Sequence, residues 1–255
     1  ILQFIDLAAA NPAIYEAEGR KLDYSRVGQY AVLPGLYPKV TVRVGGQAAE
    51  VAATKNVSEG LNAVATAIAW QPGDNVVVSS DLEHANNIYL WYGLRRLGVE
   101  VRAIPPIGTE IDAAGLAAAI DGQTRIVTAA SVTFTPGFRT DLATIGQAAR
   151  RHGALFLVDG VQNCGVLALD VAANHIDALA TSTSKGLLGL MGLGFLWVRQ
   201  DWIARLHPAY VARTGIATAG HYSEIESVDF AFAPTAERFE VGSPNWVGIA
   251  AAAAA

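Results

Sequence analysis

Two stretches decide the fold: Ala154-Leu155-Phe156-Leu157-Val158-Asp159-Gly160-Val161-Gln162, and Ala178-Leu179-Ala180-Thr181-Ser182-Thr183-Ser184-Lys185-Gly186. Each is a short apolar run that ends on polar side chains. An unbroken apolar run, rather than an alternating one, marks a strand covered on both faces. The same reading extends in both directions. Asn75–Ser79, Val99–Ile104, Arg125–Ala130 and Gly194–Val198 have strand character, and His84–Leu97, Ala113–Ile120 and Leu142–Arg151 have helical patterns. Strands alternating with helices of about ten residues imply a mainly parallel sheet between helical layers. Ligands in such sheets bind outside the carboxyl ends of the strands, so the polar residues just after each strand are the candidates.

Composition supports this class and excludes others. Of 255 residues, 52% are hydrophobic and 16% are charged, the latter well below the usual quarter or so. Such a chain builds a large core and is not intrinsically disordered. The length suits one large domain, or one domain plus a fragment. A net charge of -5 gives no basic field for nucleic acid or anionic lipid. Cys164 is the single cysteine, so no disulfide forms within the chain, and a reducing, cytoplasmic compartment is the expectation. The longest run without polar side chains, Gly186–Val198, is shorter than the 20 or so residues a membrane-spanning helix needs. Ile1–Pro12 has no basic start and carries Asp6, unlike a signal peptide. The start at Ile1, the lone Met191 and the Ala250–Ala255 run lead us to expect a window on a longer protein. Within it we expect an irregular segment over 1–45, a large domain over 46–249, and an alanine run over 250–255 that opens a further domain.

Four places carry candidate chemistry. Lys185 is the only charged residue between Asp177 and Arg199, with apolar neighbours on both sides. A lysine after a strand is ordinarily solvated. A desolvated one has a depressed pKa, and its neutral amine attacks carbonyls. Asp159 is the only charge between His152 and Asp170. It suits a turn cap, or a partner for a protonated pyridine nitrogen, with Gln162 donating to an oxygen on the same ring. In Thr54-Lys55-Asn56-Val57-Ser58-Glu59, Asn56 and Glu59 have capping-box spacing, and the free amides from Val57 onward with the Ser58 hydroxyl form an anion site. Glu59 opposes an anion unless its side chain folds back onto the cap. In Glu83-His84-Ala85-Asn86-Asn87, His84 is placed to stack on a flat ring. The five histidines and one cysteine lack zinc-ligand spacing, and no dinucleotide fingerprint, P-loop or nucleophile elbow is present.

Together these motifs resemble the aminotransferase class V family of pyridoxal-phosphate enzymes, which includes the cysteine desulfurases. The resemblance covers roughly Ala49–Gly248. It rests on Asp159-Gly160-Val161-Gln162, the following Asp170-Val171, Ser182-Thr183-Ser184-Lys185-Gly186, the Gly192–Leu196 strand entry, and Arg238-Phe239-Glu240-Val241-Gly242-Ser243-Pro244-Asn245. It implies an aspartate-aminotransferase-type large domain with a seven-stranded sheet, and pyridoxal 5'-phosphate as cofactor. Lys185 would hold the cofactor and shuttle the substrate's α-proton. Asp159 would pair with the ring nitrogen, Gln162 with the ring hydroxyl, and His84 would stack on the ring. Val57, Ser58 and Ser182 would bind phosphate. Ser243 would reach the phosphate of a second subunit, implying a homodimer with shared sites, and Arg238 would lie near that interface. Ser131 or Thr133 would stand near substrate.

Departures from the family pattern limit the reading. Ser184 replaces the histidine most relatives have before the lysine, and Leu190 replaces a proline. Cys164 does not match the desulfurase nucleophile. The resemblance therefore implies an enzyme acting on an amino acid or a small amine, with transfer of an amino group narrowly ahead of a desulfurase or other carbon–sulfur lyase, and of epimerisation. A non-catalytic binding subunit is the competing class, which retention of Lys185, Asp159 and His84 disfavours.

Overall fold

The computed structural model describes residues 45–217 and 230–254. The segment expected over 1–45 therefore lies outside the described residues, apart from Gly45. Seven strands form one sheet: β1 (Val51–Thr54), β2 (Asn75–Ser79), β3 (Glu100–Ile104), β4 (Thr124–Ala130), β5 (Leu155–Asp159), β6 (Ala178–Ser182) and β7 (Gly194–Val198). Their order across the sheet is β1-β7-β6-β5-β4-β2-β3. β7 is antiparallel to both of its neighbours, β1 and β6, and the pairs β6–β5–β4–β2–β3 are parallel. The carboxyl ends of every strand but β7 thus share one edge.

Successive residues in these strands feed opposite cores. Val77, Val127, Phe156 and Val158 pack on one face, with helices α3 (Ala113–Ala118) and α4 (Leu142–His152). Val76, Val78, Ile126, Leu155 and Leu157 pack on the other, with α1 (Val57–Thr66) and α2 (Tyr89–Gly93). This double covering explains the unbroken apolar runs. α4 shows how local chemistry sets the boundaries. Asp141 caps it by accepting from Thr144 N–H, Arg150, Arg151 and His152 sit in the last turn, and Gly153 closes it at φ 69°.

The structure departs from the expected elements in three places. β1, a strand of four residues with alanines at its centre, was not expected, yet all four residues are buried. β3 is not unbroken apolar, because it is the sheet edge: Glu100 is exposed and Arg102 pairs with Glu100 and Asp121 at 3.0 and 2.7 Å. The helix expected over 84–97 is three short pieces, a 3-10 turn over Ala85–Asn87, α2, and a 3-10 turn over Leu94–Leu97. Further along, α5 (Gln200–Ile203) follows β7, and α6 (Trp246–Ala254) runs through position 249 into the alanine run.

Candidate active site

In the sheet order, β2 connects outward to β3, whereas β4 connects the other way to β5. The crevice between β2 and β4 is therefore the topological switch point, where ligands of such sheets bind. The loops after β1, β2, β4, β5 and β6 surround it.

The turn after β1 starts α1. Asn56 Oδ1 accepts from Glu59 N–H at 3.0 Å, and the Glu59 carboxylate accepts from Lys55 N–H. Glu59 thus folds back onto its own cap, which removes its opposition to an anion. Val57 N–H donates to Ser182 Oγ at 2.8 Å, and Asn86 Nδ2 donates to Ser58 Oγ at 2.9 Å. Val57, Ser58 and Ser182 are therefore brought together. Two glycines allow this approach. A Cβ on Gly60 would stand 2.9 Å from Ala180 Cβ, and one on Gly194 would stand 2.9 Å from Asn56 Cα and 2.4 Å from Thr181 O. Only hydrogen at these positions lets α1 lie against β6 and β7.

Asp159 ends β5 and is 4% exposed. Its Oδ1 accepts from Val161 N–H at 2.9 Å, and no cationic side chain pairs with it among the described residues. Burial pushes its pKa up to about 6, against the smaller opposing effect of that hydrogen bond. A buried carboxylate without a cation is costly, and it fits a ligand that brings a positive charge. Ser131, after β4, is fully buried, and its backbone N–H and hydroxyl both donate to the Asp159 carbonyl. Thr133 Oγ1 accepts from Gly137 and Phe138 N–H and so shapes its own turn. These bonds give Ser131 and Thr133 local structural work.

His84 is exposed at the mouth of the β2 loop. Its Nδ1 accepts from Asn86 N–H at 3.2 Å, which assigns the ring proton to Nε2. Its ring meets Phe134 of the β4 loop edge-on, with centroids 5.6 Å apart. The preceding residue, Glu83, turns its carboxylate inward. Ala130 N–H donates to Oε1 at 2.6 Å and Asn87 Nδ2 to Oε2 at 3.0 Å. Burial, with a smaller contribution from the Asp159 charge, pushes Glu83 from its usual 4.5 up to about 7. Glu83, Asn86 and Phe134 escaped the sequence reading. The segment Glu83–Asn87 stood out there, but only for its histidine.

Lys185 follows β6 in a turn where Leu188 N–H donates to its carbonyl at 2.9 Å. The loops after β5 and β6 press backbone to backbone: a Cβ on Gly165, which has φ 91°, would stand 2.2 Å from Gly186 O, and one on Gly186 would stand 2.6 Å from Cys164 O. Lys185 is therefore fixed beside the loop that leaves Asp159. The expected desolvation is not found. Lys185 is exposed in this chain, because its apolar neighbours Leu188 and Met191 are themselves 84% and 85% exposed. Apolar sequence neighbours did not mean apolar surroundings.

Gln162 is half-buried in the turn after Asp159. Cys164 in the same turn is buried, which pushes its thiol up to about 11 and leaves it unreactive. Ser243 is exposed, in the loop before α6. Arg238 is 7% exposed, donating to the Ala233, Ile203 and Leu206 carbonyls, and so it braces the core of this chain. Among the described residues, no group of three or more histidine, cysteine or acidic side chains is placed to hold a metal ion, and no helix is long and apolar enough to cross a membrane. The site thus offers a buried acceptor carboxylate, a ring of hydroxyl and amide groups at a helix N-terminus, an imidazole and an amine. That set fits a flat cationic heterocycle carrying an anionic group.

Comparison with known proteins agrees with that geometry. The profile of the family Aminotransferase class-V matches residues 39–255. A probable cysteine desulfurase of Methanothermobacter thermautotrophicus is 33% identical over 82% of this chain and 51% of its own length. A cysteine desulfurase of Klebsiella pneumoniae is 32% identical over 97% of this chain and 64% of its own length. This chain therefore spans between half and two thirds of these relatives. Among solved structures, the apo cysteine desulfurase of Thermococcus onnurineus NA1 superposes with a TM-score of 0.81 at 25% identity, over 98% of this chain and 62% of that one. A cystine C–S lyase in complex with cysteine persulfide gives 0.83 at 25% identity, over 98% and 66%. The chain belongs to the aminotransferase class-V family of pyridoxal-phosphate-dependent enzymes.

Proposed function

We propose that this chain forms the cofactor-binding part of an enzyme that breaks bonds at the α- or β-carbon of a small amino acid, with Lys185 as the point of cofactor attachment. The observation that carries the reading is Asp159: a nearly buried carboxylate without a cationic partner among the described residues, facing the same strand edge as the Val57–Ser182 cradle. Bound pyridoxal phosphate supplies the electron sink that stabilises negative charge at the substrate's α-carbon. The remaining roles fall to the chain. Asp159 would hold the proton on the ring nitrogen, Gln162 would hydrogen-bond the ring hydroxyl, and His84 would lie against the ring. Val57 N–H, Ser58 and Ser182 would hold the phosphate at the positive end of α1. Lys185 Nζ would anchor the group and serve as the base for the α-proton.

Cysteine, or a related sulfur amino acid, is the substrate class that the similarity to named desulfurases and a C–S lyase supports. Cys164 does not accept the released sulfur, since its thiol is buried and held protonated. Transamination is the second reading, supported by the family match and by 29% identity to an uncharacterized aminotransferase of Bacillus subtilis. A homodimer belongs to the same proposal: Leu188, Met191 and Val166 leave an apolar surface beside Lys185 that a second subunit would cover. The single buried cysteine supports a cytoplasmic setting. Product analysis tests the substrate reading. Incubation with cysteine and dithiothreitol should release sulfide, the added thiol supplying the two electrons that free sulfide from a persulfide. Formation of a keto acid only when an amino acceptor is supplied would put transamination in its place.

A further inference from the structure

Glu83 is a half-buried acid, its carboxylate turned inward, that the proposed chemistry leaves without a task. We infer that Glu83 is a positioning residue, which clamps the β2 loop to the end of β4 across the switch point and thereby fixes the His84 ring. This inference rests on the proposed function.

Asn87 is fully buried. Its Oδ1 accepts from Trp91 Nε1 and from Thr128 Oγ1, each at 3.3 Å. Two donors on the oxygen leave the amide only one orientation, so its NH2 must face Glu83. The second donor to Glu83, Ala130 N–H, is the backbone of β4 and is equally fixed. Two fixed donors therefore converge on one side chain, and a carboxylate is the group that accepts from both at once. The other half of the clamp is the turn itself. Asn87 N–H donates to the His84 carbonyl at 2.8 Å, His84 Nδ1 accepts from Asn86 N–H, and Asn86 Nδ2 reaches Ser58 of the phosphate cradle. From Ala130 to Ser58, one chain of hydrogen bonds passes through Glu83 and the His84 turn. His84 itself is exposed and is held by few other groups, so its orientation depends on that turn. Burial of the acid is the cost of this arrangement, and its raised pKa records that cost.

The test is a double-variant cycle in the full-length protein, using Glu83→Gln, His84→Ala and both together. Glutamine keeps the shape but offers one acceptor and turns a second donor against Ala130 or Asn87. The readouts are pyridoxal-phosphate affinity and the induced circular dichroism of the bound cofactor, which reports how the ring sits in its asymmetric surroundings. Glu83→Gln should weaken affinity by about tenfold and diminish the dichroic band severalfold, as loss of a supporting partner typically does. The double variant should be no worse than His84→Ala alone, because Glu83 acts through His84. Affinity and dichroism unchanged in Glu83→Gln would overturn the inference, and so would effects that multiply independently. A Glu83→Gln protein that does not fold would also overturn it, by making the clamp an element of stability alone. Failure of the unaltered protein to take up pyridoxal phosphate would instead strike the proposed function.

Discussion

The N–H of Val57, first residue of α1, donates to the hydroxyl of Ser182, last residue of β6, across 2.8 Å. This bond joins the helix end that would hold an anion to the strand that leads to Lys185. The two residues are far apart in sequence, and the Gly60–Ala180 contact makes their meeting possible. Changing Ser182 to alanine removes a hydroxyl from the cradle and leaves the Val57 amide to the ligand alone. A hydrogen bond to a charged group contributes about 1.5–3 kcal/mol, so the variant should bind pyridoxal phosphate about tenfold more weakly or worse. An absorbance titration with cofactor measures this directly, and unchanged affinity would remove Ser182 from the cradle.

Gly194 tests the packing behind that cradle. A methyl group there would meet Thr181 O at 2.4 Å and Asn56 Cα at 2.9 Å. The start of α1 must then move off β7. Overpacking of this kind costs about 1–3 kcal/mol. Gly194→Ala should lower the urea midpoint of unfolding and weaken cofactor binding together. A loss of stability with cofactor affinity intact would show that the helix start is positioned independently of β7.

The buried acids set an unusual pH dependence for the cofactor-free protein. Burial raises Glu83 to about 7 and Asp159 to about 6, and Asp177 shifts in the same direction. Between roughly pH 4 and 7 the folded state therefore binds more protons than the unfolded chain. Stability falls as pH rises through that window, and it is fully present only below the unfolded-state values. Asp121 and Asp141 are shifted the opposite way by their hydrogen bonds and destabilise the fold only in stronger acid. The urea midpoint should be higher at pH 5.5 than at pH 8, and Glu83→Gln should flatten the difference. Equal midpoints in the unaltered protein at the two values would contradict the assignment of Glu83 and Asp159 as desolvated acids without a cationic partner among the described residues.

Much of the site was legible because strand ends and helix starts write local signatures. Asp159 closes an apolar run, and Asn56 with Glu59 announces the start of α1. Both are decided by residues within a few positions of one another. Glu83 was not legible, because its partner Ala130 lies 47 positions away and offers only a backbone amide, which no side-chain pattern reveals. The surroundings of Lys185 and Arg238 were not legible for a related reason. Sequence neighbours place a side chain beside apolar residues, but packing decides which of them is covered. Leu188 and Met191 are exposed around Lys185, whereas Arg238 is enclosed and satisfied by three carbonyls. β1 was missed because Val51-Ala52-Ala53-Thr54 is short, has alanines at its centre and is held by pairing with β7.

Asp159 carries the proposed electronic role. Asp159→Asn keeps the shape but cannot hold a proton on the ring nitrogen as a charged acceptor. Cofactor should still attach at Lys185, while turnover should fall by a factor of about a hundred or more, the scale of a lost charge-assisted interaction at a reacting group. Turnover within a few-fold of the unaltered protein would exclude a ring-nitrogen partner at this position.

Covalent attachment of the cofactor at Lys185 is the central claim, and borohydride reduction tests it most directly. The full-length protein loaded with pyridoxal phosphate should absorb near the visible edge. Reduction should fix the cofactor to the peptide that contains Ser184-Lys185-Gly186, as read by mass spectrometry, and Lys185→Ala should abolish the adduct. A colourless protein, or an adduct on any other lysine, would contradict the account.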